Sequence, residues 1–208
     1  NITKLMSKVI GKDLGTTFSA IASLDDLGNP EVLASIEDNR KITASAIYIN
    51  GNNVTVGDKA LNHIKEEPKK VVLQTKREME NDVVYSVDYG KWTDDKDLVD
   101  AYTPAQVSAL ILKKLKDYTT DVKKAVITVP AMFAEKARQA TLDAAKLADL
   151  EVIELINEPT AAVLHYASLP GVEVGGRVMI FDLGGGTFDV TFAEVKNKKV
   201  DVLTSRGD

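Results

Sequence analysis

Apolar and polar residues alternate along residues 8–22, through Val9 and Ile10 and then Phe18, Ala20 and Ala22, with Gly15-Thr16-Thr17 between them. That period of two predicts two strands joined by a tight turn. Apolar runs at 31–36 and 46–49 predict further strands, the second closing at the hairpin turn Asn50-Gly51, with 54–56 as its return strand. Residues 58–66 predict a short helix that Pro68 ends, 83–89 another strand, and the Asp- and Lys-rich stretch 92–100 a solvated loop.

From residue 103 the period changes. Thr103-Pro104-Ala-Gln106 combines a capping threonine, a first-turn proline and a capping-box glutamine, and Val107, Leu110, Ile111 and Leu115 mark one helical face. A buried strand is predicted at 125–129, ended by Pro130. An alanine-dense helix follows at 135–149, with Ala137, Ala140, Ala144, Leu147 and Ala148 on the face that packs on a sheet, then a strand at 152–156. Strand, helix, strand implies a right-handed parallel crossover. A helix at 157–167 and a glycine-rich hinge at 171–176 lead to strands at 178–182 and 190–195 around a second tight turn, and a third at 199–204.

Composition narrows the function classes. With 208 residues, 44% of them apolar, the chain suits one large domain or a domain with part of another. Its 26 Lys and Arg against 31 Asp and Glu leave a formal charge of -5, which argues against nucleic-acid or anionic-membrane binding. The absence of cysteine excludes disulfides, cysteine zinc sites and a cysteine nucleophile, and fits a reducing compartment. No apolar run is long enough to span a bilayer, residues 1–5 lack a signal-peptide core, and Met6 reads as a natural start. His63 and His165 are expected to be surface or packing residues.

The chemistry sits in a repeat. Asp13-Leu-Gly-Thr-Thr17-Phe and Asp182-Leu-Gly-Gly-Gly-Thr187-Phe share an apolar strand, Asp-Leu-Gly, small residues, Thr and Phe, with their aspartates 169 positions apart. Such spacing suggests two homologous half-domains facing each other. Glycines permit unusual backbone angles and close approach to a ligand, and successive free N–H groups make an anion nest. An aspartate beside that nest implies Mg²⁺ between it and a phosphate, held through water. Two other phosphate motifs fail: the run Gly171 to Gly176 is followed by Arg177 and Val178 instead of Lys-Ser/Thr, and the sixth position from Gly184 is Asp189 instead of glycine. Either turn alone would also fit a plain Asp-Gly hairpin; the matching flanking strands separate the pair from that reading.

From about Ser7 to Asp208 the chain resembles the nucleotide-binding (ATPase) domain of seventy-kilodalton heat-shock chaperones of the DnaK type. The resemblance is carried by Ile127-Thr-Val-Pro-Ala131, Arg138-Gln-Ala-Thr141, Asn157-Glu-Pro-Thr-Ala-Ala162 and Ile180-Phe-Asp-Leu-Gly-Gly-Gly-Thr-Phe-Asp-Val190. It implies an α/β fold of the ribonuclease-H-like, actin-like ATPase kind. Residues 7–39 and 99–171 would form the core of lobe I, 40–98 a smaller inserted α+β subdomain, and 172–208 the first strands of lobe II. It implies a cytoplasmic stress-response chaperone that binds and hydrolyses Mg·ATP to control peptide binding. The implied partners are a J-domain co-chaperone, a nucleotide exchange factor and unfolded peptide, the last through a further domain.

The resemblance also implies roles. Gly15, Thr16 and Thr17 form one phosphate loop, and Gly184, Gly185, Gly186 and Thr187 the other. Asp13, Asp182 and Asp189 serve the cations, Mg²⁺ and, near Asp189, K⁺. Lys76 reaches the γ-phosphate, Glu158 orients water, and Asp182 and Thr187 complete the catalytic set. Pro130 and Arg138 match the allosteric switch that passes on nucleotide state. Hydrolysis would be in-line attack of water with no covalent intermediate. The chain reads as an N-terminal part of that domain, expected to bind nucleotide weakly or not at all by itself, with exposed edges open to self-association. The alternatives are a chaperone-like exchange factor or pseudo-ATPase and an actin-like filament ATPase. Departures from the family pattern are Lys12 at an apolar position, Ala44 for proline, Met132 and Ala134 for Tyr and Asn, and residues 78–81, which lack the usual apolar-glycine segment.

Overall fold

The computed structural model describes residues 8–207 except 121, 186 and 198, so the start expected at Met6 and Gly186, expected in the second phosphate loop, lie outside the described residues. The first strands are β1 (Lys8–Asp13), β2 (Phe18–Leu24), β3 (Pro30–Val32) and β4 (Thr43–Ala44). Next come β5 (Ile47–Asn50), β6 (Asn53–Val56), α1 (Asp58–Leu61), β7 (Val71–Val72), β8 (Val84–Ser86), β9 (Lys91–Thr93) and β10 (Ala101–Tyr102). The alternation of helix and strand then begins: α2 (Pro104–Lys116), β11 (Val122–Val129), α3 (Glu135–Leu147), β12 (Glu151–Asn157) and α4 (Glu158–Ser168). A final meander comprises β13 (Gly176–Leu183), β14 (Phe188–Lys196) and β15 (Lys199–Gly207).

The main sheet runs β12-β11-β1-β2-β3, with β4 on β2. β1 pairs parallel with β11 and antiparallel with β2, and β11 pairs parallel with β12, as the predicted crossover requires. β1 buries Ile10 and Lys12 and exposes Val9 and Asp13, and Leu14 just after it is buried too, so one face of the sheet receives helices. There Ile10, Ile21, Ala125 and Ile127 join Val107, Ile111, Leu112 and Leu115 of α2 and Ala144, Ala145 and Ala148 at α3 in one core. At about 25 cal/mol per Å² this burial is the main favourable term holding β1 in place. The capping box is formed: the Gln106 N–H donates to Thr103 Oγ1 (3.2 Å) and the Thr103 N–H to Gln106 Oε1 (2.8 Å). α4 touches β11, β12, β13 and β15, and so lies between the main sheet and the final meander.

Several boundaries differ from the sequence reading. The strand expected at 31–36 ends at Val32, because Asn39 N–H donates to Ser35 O and Ser35 N–H to Arg40 O, turning the chain back. The helix expected over 58–66 stops at Leu61; bonds three residues apart carry the chain on, and His63 is used to stack on Tyr48, with ring centroids 3.8 Å apart. The strand expected at 83–89 is confined to β8. The loop expected from 92 starts as β9, since Trp92 packs edge-on against Tyr85 across the β8–β9 ladder (5.3 Å). Leu147 is exposed, and Thr141 and Ala145 take the buried positions of α3 instead. Among the described residues no helix is long and apolar enough to cross a membrane.

Candidate nucleotide site

The β1–β2 turn and the β13–β14 turn face each other across a cleft of about 700 Å³. Asp13 ends β1, and Asp182 lies one residue before the end of β13. Asp189 pairs with Asp182 in the β13–β14 register, so its backbone stands beside the second turn. Gly15, Thr16, Thr17, Gly184, Gly185 and Thr187 line the cleft with the three aspartates. Lys76 enters from a 3₁₀ turn at Thr75–Glu78, and Glu158 is the first residue of α4. All described residues assigned to catalysis, phosphate or cation thus converge on one cavity.

The glycines are required for space instead of unusual angles. None of Gly15, Gly184 and Gly185 has a positive φ. A Cβ on Gly15 would lie 2.0 Å from Phe18 O, so only glycine closes that turn. A Cβ on Gly185 would lie 2.6 Å from Thr17 Oγ1, so the second glycine permits the two turns to touch. The second turn is closed by the Gly184 N–H donating to Thr187 O (2.9 Å).

Two supporting residues escape a reading of the sequence, and a third residue, read there as a surface or packing histidine, lines the cleft. Ser45 Oγ donates to Gly15 O (2.7 Å), the Ser45 N–H to Thr17 O (2.8 Å), and Ser45 Oγ also meets Ser19 Oγ (2.9 Å). Thr128 Oγ1 donates to Asp13 Oδ1 (2.9 Å), fixing that carboxylate from the adjacent strand. His165, one turn along α4 from Ala161, lines the cleft as well. The register of β1 on β11 places Thr128 opposite Asp13, and only that pairing reveals it.

Lys76 Nζ donates to Glu158 Oε1, and the two side chains are 10% and 16% exposed. Burial raises the Glu158 carboxyl above its ordinary pKa; Lys76 opposes the rise, and Asp13 and Asp182 add to it. Asp189 is raised as well, by burial first and then by Asp182, with Lys76 again opposing. Lys76 is the only lysine or arginine among the described residues lining the cleft, against Asp13, Glu158, Asp182 and Asp189. Among the described residues no three His, Asp or Glu come together closely enough to hold a metal ion on their own. Thr17 Oγ1 is buried without a hydrogen-bond partner. An unpaired hydroxyl, glycines that leave the backbone bare and surplus carboxylates together fit a polyphosphate with a divalent cation held through water.

The two residues assigned to the switch lie beside the cleft. Pro130 lines a smaller adjoining cavity of about 180 Å³, with Lys76, Met132, Phe133, Glu158 and Asp189 among its walls. Arg138 reaches back from α3: its Nε donates to Phe133 O (3.1 Å) and its Nη2 to Asn157 Oδ1 (2.6 Å), the residue before Glu158.

Over residues 9–208 the chain matches the Hsp70 protein family. It is similar to the chaperone protein DnaK of Thermotoga petrophila, of Thermotoga sp. strain RQ2 and of Thermotoga maritima. Each is 38% identical over 208 residues, an alignment that covers 96% of this chain and 33% of the relative. The chain therefore spans about a third of the length of these curated relatives. The mixed α/β architecture fits the actin-like fold of such an ATPase domain, and neither the filament nor the exchange-factor alternative gains support.

Proposed function

This chain belongs to the Hsp70 family, and from that premise we propose that its cleft binds Mg·ATP and that the full-length protein hydrolyses it in a protein-folding chaperone cycle. The observation that carries the reading is the meeting of the two glycine turns at Thr17 and Gly185, with the Lys76–Glu158 pair in the same cleft. One jaw, Gly15 to Thr17, takes one side of the polyphosphate, and the other, Gly184 to Thr187, takes the opposite side. Asp13 and Asp182 would hold Mg²⁺ through water, and Asp189 would serve K⁺. Mg²⁺ held there would supply charge to offset the phosphates and polarise the γ-phosphoryl group.

Lys76 exchanges its partner Glu158 for a γ-phosphate oxygen. Glu158, freed of the ion pair, accepts a hydrogen bond from the attacking water and aims its oxygen at phosphorus. Thr17 Oγ1 and Thr187 donate to phosphate oxygens as charge shifts onto them. The bond from the γ-phosphorus to the bridging oxygen breaks, one to the water oxygen forms, and a proton is released.

The division into lobe I core (7–39 and 99–171), inserted subdomain (40–98) and start of lobe II (172–208) belongs to the same proposal. So do the switch roles of Pro130 and Arg138, the co-chaperone, exchange-factor and peptide partners, and a cytoplasmic location. The test is binding and turnover of Mg·ATP by the full-length protein and its Glu158→Gln variant. We expect the variant to bind with near-normal affinity and to turn over about a hundredfold more slowly. A wild-type protein that binds no Mg·ATP would overturn the reading.

A further inference from the structure

Helix α3 begins without a cap of its own. Its N-cap is Ala134, which makes no side-chain cap bond, and its third helical residue is Ala137, fully buried. Both halves of a capping box are therefore missing: no Ser, Thr, Asn or Asp to accept from the first turn, and no Glu or Gln to reach back to the N-cap N–H. That second task is performed from another part of the chain. The Ala134 N–H donates to Glu80 Oε1 (3.0 Å), across 54 positions of sequence. The carboxylate also brings negative charge to the positive end of the helix.

Glu80 lies four positions after Lys76. The segment between them is pinned by Met79, which is buried and accepts from Ser108 Oγ of α2 (3.4 Å). One short stretch thus grips the starts of two helices: Lys76 holds Glu158, the first residue of α4, and Glu80 holds Ala134 at the start of α3. Arg138 closes the circuit by joining Phe133 O to Asn157. Two departures from the family pattern, Ala134 and the 78–81 segment, are consequently partners in one contact.

We propose that Glu80 is a positioning residue that sets Lys76 in the cleft and couples it to the 130–134 loop, by supplying from elsewhere in the chain the backbone partner that the start of α3 lacks. The proposal rests on the nucleotide reading of the cleft for its effect on turnover; the cap itself does not. The full-length protein is compared as wild type, Glu80→Ala, Ala134→Asn and the double variant, by amide hydrogen exchange and by single-turnover hydrolysis of Mg·ATP. Glu80→Ala is expected to lose protection at the first turn of α3 and to slow hydrolysis about tenfold, with ATP affinity changed less than about twofold. The double variant, in which Ala134→Asn gives α3 a cap of its own, is expected to regain the protection while hydrolysis stays slow. Unchanged hydrolysis in Glu80→Ala, or full recovery of the rate in the double variant, overturns the positioning role. A wild-type protein that binds no nucleotide overturns the reading of the cleft and the turnover half with it, and is told apart by retained exchange protection that Glu80→Ala alone removes.

Discussion

Thr17 and Gly185 touch across the cleft, at a separation that leaves no room for a Cβ: one built on Gly185 would lie 2.6 Å from Thr17 Oγ1 and 2.9 Å from Thr17 Cβ. The two glycine turns, 168 positions apart at these residues (185 less 17), are in van der Waals contact. Gly185→Ala must push the jaws apart or turn the Thr17 side chain away. Because Gly185 is exposed, stability should change by less than about 1 kcal/mol. Affinity for Mg·ATP in the full-length protein should fall about tenfold or more, which calorimetric titration measures. Thr17→Ser, which keeps the hydroxyl and removes the methyl, should relieve part of that loss.

The Lys76–Glu158 pair makes a prediction about pH. Burial already raises the Glu158 carboxyl, and Lys76 is the group that holds it down. Lys76→Met removes that restraint, so the carboxyl should protonate at still higher pH. If ionised Glu158 is what orients water, the acid limb of the pH–rate profile moves upward in the variant. The turnover loss at its optimum should be about a hundredfold, as for loss of one donor to developing charge. An acid limb that stays in place would show that Glu158 is not the titrating group.

What is legible in the sequence follows the range of the interactions. The capping box of α2 is local, four residues long, and appears as read. The paired turns are local patterns too, and their matching strands by themselves point to a shared cleft. Ser45 on Gly15, Thr128 on Asp13 and Glu80 on Ala134 are contacts across 30, 115 and 54 positions, which only the register and packing of the fold create. Lys12 stands out in the sequence as a charge at an apolar position, but its complete burial depends on α2 lying over β1. The early end of α1 is hidden from the sequence because its apolar positions contribute little burial: Ala60 alone is buried there.

Glu37 joins two parts of the chain through charge. Its carboxylate accepts from Lys114 of α2 and from Lys59 of α1 (2.6 Å). Those two lysines hold its pKa at about 2, Lys114 having the larger effect. For a carboxyl lowered on folding, the unfolded chain binds more protons in the window between the two pKa values. The contribution is therefore present above about pH 4.5 and is lost as pH falls toward about 2. The Glu37 side chain is 37% exposed, so solvent screening keeps the effect modest. Glu37→Gln should lower stability slightly at neutral pH and converge with wild type near pH 2, with salt shrinking the difference. Acid titration followed by circular dichroism at low and high ionic strength checks both.

Lys12 carries the largest conflict in the core. It is 1% exposed, between the buried Ile10 of the same strand and the buried Leu14 just after it, and its Nζ donates to the Leu112 carbonyl of α2. Burial lowers its pKa from 10.5 to about 7; Lys116 pushes in the same direction and Asp117 opposes. Between those two values the unfolded chain holds a proton that the folded chain has released. Stability therefore rises with pH from about 7 to about 10.5, and falls as pH drops toward 7. The slope integrates to a cost of order a few kcal/mol at neutral pH, since a tenfold change in a proton-binding equilibrium is worth about 1.4 kcal/mol. Lys12→Met keeps the side-chain length, removes the charge and leaves the Leu112 carbonyl to its own helix. It should raise the unfolding temperature at pH 7 and abolish the rise between pH 7 and 10. Thermal melts of both proteins across that range decide the matter: a variant with the wild-type slope would place the titrating group elsewhere, and one less stable at pH 7 would show that the Lys12–Leu112 bond outweighs the cost of burying the amine.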